Sequence, residues 1–112
     1  MELELLKHDN YAIIKVNAEK LDSLMSPGLK SELVMLNNEG VKNIVVDLSN
    51  ARYCDSSGLS SILIGNRLCK NAGGKFVISG LQDAVKKLIF ISQLDSILDI
   101  SLTLEDSVEK FK

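Results

Sequence analysis

The chain has 112 residues, of which 46% are hydrophobic and 25% charged, with 13 Lys and Arg against 15 Asp and Glu. That length fits one domain, residues 1–112, with room for a core, and the composition is that of a globular protein. A net charge of −2 with no basic run argues against nucleic-acid binding, and no apolar stretch approaches the length of a membrane span.

Leu3, Leu5 and Leu6 lead into His8-Asp9-Asn10, and residues 11–16 follow as an alternating apolar segment. The pattern predicts two strands joined by a tight turn. The opening Met1-Glu2-Leu3-Glu4 is acidic and unlike a secretory signal, so the expected location is the cytoplasm. Residues 17–26, which include Asp22 and Ser23, read as a polar loop. Pro27 suits the first turn of a helix. Leu29, Leu33 and Leu36 then recur at helical spacing, with Gly40 as the stop. Residues 43–48 form a short continuous apolar run, as in a strand covered on both faces.

A second helix is predicted over residues 57–71, ended by Ala72-Gly73-Gly74, and a strand over residues 75–79. Leu81, Val85, Leu88 and Ile89 mark a third helix, residues 97–100 a last strand, and Thr103 the cap of a C-terminal helix. A hairpin followed by β-α-β alternation predicts an α/β fold. Its mixed sheet would have four to five strands, right-handed crossovers and helices packed on it. Ile44, Val46, Ile62, Val77, Val85 and Leu88 are the expected core. On the second helix, Leu59, Ile62, Gly65, Cys69 and Ala72 share a core-facing side. Leu63, Arg67 and Lys70 share the opposite side, at about 100° per residue. Leu63 is therefore an expected exposed apolar contact beside two cations. The rival is a helix buried on more than one side, because Ile64 and Leu68 widen its apolar face.

The stretch Tyr53-Cys54-Asp55-Ser56-Ser57-Gly58-Leu59 turns from the strand of residues 43–48 into the second helix. Either Asp55 or Ser56 can cap that helix. Its free N–H groups and dipole would also seat a phosphate, which makes Ser56 a candidate for regulatory phosphorylation, with Ser57 as the alternative. Gly58 would permit a close approach of backbone or partner. Lys86 and Lys87 read as a solvated face.

Enzyme chemistry has no foothold: paired carboxylates, a nucleophile with a histidine base, and a Walker-type loop are all missing. Cys54 and Cys69 lack metal-ligand spacing, and His8 is the one imidazole. Both cysteines read as small buried residues, and no metal or cofactor is expected.

Asp55-Ser56-Ser57-Gly58-Leu59, with Val45-Val46-Asp47-Leu48 before it, resembles the signature of the STAS domain family, in particular the bacterial anti-sigma factor antagonists. The likeness continues through Asn71-Ala72-Gly73-Gly74-Lys75 and Val85-Lys86-Lys87-Leu88-Ile89, and so covers nearly the whole chain. It implies the same fold and a non-enzymatic switch. Unphosphorylated, the protein would bind an anti-sigma factor serine kinase and so free a sigma factor. Phosphorylated on Ser56, it would let go. The implied docking surface comprises Asp22, Ser23, Asp55, Ser56, Ser57, Gly58, Leu63 and Arg67. The family's glycine before the aspartate is absent here, where Ala18-Glu19-Lys20-Leu21 stands. Two rivals are a structural subunit of a lipid-transporting ABC complex and an enzyme or nucleotide-binding domain.

Overall fold

The computed structural model describes residues 2–111. Strands β1 (Leu3–Lys7) and β2 (Ala12–Val16) form the antiparallel hairpin. β4 (Ile44–Asp47), β6 (Phe76–Ser79) and β7 (Asp99–Ser101) then add in parallel, giving a mixed five-stranded sheet in the order β1-β2-β4-β6-β7. The crossovers carry α1 (Ser26–Asn38), α2 (Ser56–Asn71) and α3 (Asp83–Ile91), and α4 (Leu104–Glu109) closes the chain. The predicted fold class is the observed one.

The pleat divides the apolar strand residues between two faces. Ile14, Val16, Ile44, Val46, Phe76 and Ile78 pack with Leu29, Leu33, Ile62, Val85 and Ile89 of the three crossover helices. Ile13, Val45 and Val77 point the other way, and Leu104, Val108 and Phe111 cover them. Burial on both faces explains why the run at residues 43–48 shows no alternation.

Of the expected core, Ile44, Val46, Ile62, Val77 and Val85 are buried. Leu88 is only half-buried, and its neighbour Ile89 takes the fully covered place. Ala72 is exposed, because α2 ends one residue before it and Gly73, at φ +81°, turns the chain away. The last strand starts two residues later than predicted. A 3₁₀ turn over Leu94–Ser96 takes Ile97 as its C-cap and leaves that side chain 47% exposed. The segment read as a polar loop contains β3 (Lys20–Leu21), which pairs in parallel with β5 (Tyr53–Cys54) as a separate two-stranded sheet.

Candidate functional site

The site lies beyond the carboxyl ends of β2 and β4. After β4 the Asp47 carboxylate accepts the Ser49 amide at 3.0 Å, and the chain turns back toward β3. There the Glu19 carbonyl accepts the Arg52 and Tyr53 amides at 2.7 and 3.2 Å, and Leu21 accepts the Asp55 amide at 3.3 Å. The small sheet thus aligns the start of α2 beside the turn that starts α1.

Asp55 is the cap of α2. Its backbone is extended and its Oδ1 accepts the Gly58 amide at 3.0 Å. The Ser57 hydroxyl donates to the same oxygen at 2.6 Å. This hydroxyl, then the Gly58 amide, holds the Asp55 carboxyl below its ordinary value near 3.8, and the amides of Ser57 and Ser23 act in the same direction. The serine that Asp55 orients is therefore Ser57. Ser56 is exposed, and its hydroxyl has no hydrogen-bond partner among the described residues.

Gly58 is buried, and a Cβ there would lie 2.3 Å from the Leu21 carbonyl oxygen and 2.7 Å from Cys54 Sγ. The close approach at this glycine is to the protein's own backbone. No other residue lets α2 begin so near β3.

Asp22 organises the neighbouring turn. Its Oδ1 accepts the Leu24 and Met25 amides at 3.1 and 3.3 Å, and its carbonyl accepts the Ser26 hydroxyl at 2.6 Å. Ser26 Oγ also lies 3.3 Å from Ser57 Oγ. The Ser61 hydroxyl bridges the carbonyls of Ser26 and Ser57 at 3.1 and 3.3 Å. The structure thus brings Asp22, Ser23, Asp55, Ser56, Ser57 and Gly58 together. Lys20, Asp22, Tyr53, Cys54 and Asp55 line a groove of about 490 Å³ beside them.

The second helix corrects one expectation. Arg67 is exposed, but Leu63 is half-buried and packs against the core, so it offers no free apolar contact. α2 buries a broad arc that includes Ser61, Ile62, Gly65, Asn66 and Cys69, and Leu63 borders it. Sequence reasoning missed Ser26 and Ser61. The one hint was Ser61's place four residues after Ser57, one turn along the helix.

Both cysteines are held in the thiol form. Burial and then the Asp55 charge push the Cys54 thiol up to about 12, and burial pushes Cys69 up to about 11. Cys69 is buried as expected, whereas Cys54 is half-buried. No helix among the described residues is long and apolar enough to cross a membrane.

Comparison with known proteins agrees with this architecture. The anti-sigma-B factor antagonist of Staphylococcus epidermidis is 29% identical over 102 residues, covering 90% of this chain and 93% of its own. The crystal structure of an anti-sigma factor antagonist from Mycobacterium paratuberculosis superposes with a TM-score of 0.86 at 20% identity, over 97% of this chain and 92% of the other. The phosphorylated form of the Bacillus cell-fate determinant SpoIIAA superposes with a TM-score of 0.77 at 16% identity, over 98% and 99%. The model of the STAS domain matches residues 2–107. The chain therefore belongs to the STAS domain family.

Proposed function

We propose that this protein is a non-enzymatic, phosphorylation-switched antagonist of an anti-sigma factor, working in the cytoplasm. With Ser56 unmodified it binds an anti-sigma factor serine kinase, and a sigma factor is freed. The kinase moves the γ-phosphoryl group of ATP onto Ser56 Oγ, ADP leaves, and the modified protein is released. The contact surface takes in Asp22, Ser23, Asp55, Ser56, Ser57, Gly58 and the exposed Arg67.

One observation carries the choice of acceptor. The Ser57 hydroxyl is bound to Asp55 at 2.6 Å, while the Ser56 hydroxyl stands in solvent with no partner among the described residues. The Ser56 hydroxyl is exposed and free to turn toward an incoming phosphoryl group, whereas that of Ser57 is half-buried and held in one direction by Asp55. The names of the relatives support the class of partner, and a structural neighbour is known in a phosphorylated form. No feature of the site favours a transporter subunit.

The test is transfer of labelled phosphate from ATP by the purified anti-sigma factor kinase of the source cell. Ser56→Ala is expected to abolish labelling and Ser57→Ala to retain it. Label that persists in Ser56→Ala and vanishes in Ser57→Ala would move the acceptor by one residue.

A further inference from the structure

Leu24 sits between β3 and α1 and is 87% exposed, more than any other large apolar side chain among the described residues. A lone exposed leucine is ordinary. This one differs in how it is held. Its own amide and that of Met25 both donate to Asp22 Oδ1, and the Asp22 carbonyl takes the amides of Met25 and Ser26. A side chain on so constrained a turn gives up little chain entropy on docking.

Its surroundings are acidic and continuous with Ser56. Ser23, the residue before it, has its amide among the groups that hold the Asp55 carboxyl low. Asp22, whose carboxylate takes the Leu24 amide, lines a groove with Asp55, where Lys20 is the single cation and Tyr53 is 50% exposed. Neither carboxylate forms an ion pair among the described residues.

We infer that Leu24 is the apolar anchor of a protein-docking surface that runs from Ser56 across the Asp22–Asp55 groove, and that the partner facing it joins an apolar socket to basic side chains. This rests on the reading of Ser56 as the switch and adds where the affinity resides. The leucine supplies burial and the carboxylates supply register and attraction. A phosphoryl group on Ser56 would release the partner by its bulk and its desolvation at the edge of this surface, outweighing the attraction of the basic side chains for the added charge.

Calorimetric titration against the purified anti-sigma factor kinase of the source cell tests this, with Leu24→Ser, Ser56→Asp and Ile91→Ser compared with the wild type. Ile91 is 73% exposed at the end of α3 and serves as the control. Leu24→Ser is expected to weaken binding at least about tenfold at an unchanged melting temperature, while Ile91→Ser stays within about twofold. Wild-type affinity should also fall as salt rises. If Leu24→Ser binds normally while Ser56→Asp is weakened, the anchor is overturned and the Ser56 reading stands. If Leu24→Ser is weakened and Ser56→Asp is not, the anchor stands and the switch fails. Two unaffected variants would overturn both. An equal loss in Ile91→Ser would overturn the anchor, and an affinity indifferent to salt would overturn the basic half of the partner.

Discussion

A hydroxyl has one proton to donate. Ser57 Oγ lies 2.6 Å from Asp55 Oδ1 and 3.3 Å from Ser26 Oγ, so the short, charge-assisted bond to the carboxylate takes its proton. Ser26 in turn gives its own proton to the Asp22 carbonyl at 2.6 Å. Two adjacent serines are thereby given different chemistry. The same arrangement changes what a phosphate on Ser56 would meet. Asp55 already bonds the Gly58 amide and draws on that of Ser57, so the helix start is occupied by an anion. A phosphoserine there has its second ionisation, ordinarily near about 6, raised by the carboxylate beside it. Asp55→Asn keeps an acceptor for the cap and removes the charge. It is expected to lower the midpoint of a ³¹P titration of the phosphorylated protein, and an unmoved midpoint would mean that solvent screens the pair. The Asp55-Ser56-Ser57-Gly58 run made this corner legible in the sequence. The roles of Ser26 and Ser61 were not, because they arise only when α1 and α2 are brought side by side.

Elements with strong patterns were read closely. Helices α1 and α2 carry leucines or isoleucines at helical spacing and end at or just before glycines of positive φ, Gly40 at +87° and Gly73 at +81°. The two-residue strands β3 and β5 left no such pattern. What pairs them is tertiary: Glu19 and Leu21 accept amides from a segment more than thirty residues away. The late start of β7 has a local cause in the 3₁₀ turn, whose short 94–96 span gives no period to detect. α2 buries more of its circumference than two faces suggest, so Leu63 is half-buried against the edge of the core. Ile62, fully buried on that helix, is the position where this packing can be measured. Ile62→Ala is expected to cost about 2–5 kcal/mol in denaturant unfolding. A loss inside experimental error would mean that neighbouring side chains collapse into the space.

The whole molecule is a sheet between unequal layers. Three helices cover one face, and the short α4 with Phe111 covers the row Ile13, Val45 and Val77 on the other. Capping by Thr103, whose hydroxyl accepts the Asp106 amide at 3.1 Å, starts α4 where the sequence predicts. A chain ending at Leu102 would uncover that row. Partial exposure of three such side chains costs at least about 2 kcal/mol, or roughly 10 °C in a domain of this size. Thermal melts of the shortened chain would measure it, and an unchanged melting temperature would show that the row tolerates water.

The absent side chain at Gly58 has a consequence in time. The start of α2 lies directly against the Leu21 carbonyl, so the Asp22 turn and the Ser56 turn are packed backbone to backbone. A charge placed on Ser56, as proposed, would sit directly against the turn where it would be felt. Turning such a surface on or off needs no slow rearrangement of the chain, of the kind that takes microseconds to milliseconds. The pace of signalling would then be set by collision with the partner and by phosphoryl transfer, and the two forms would present nearly the same backbone.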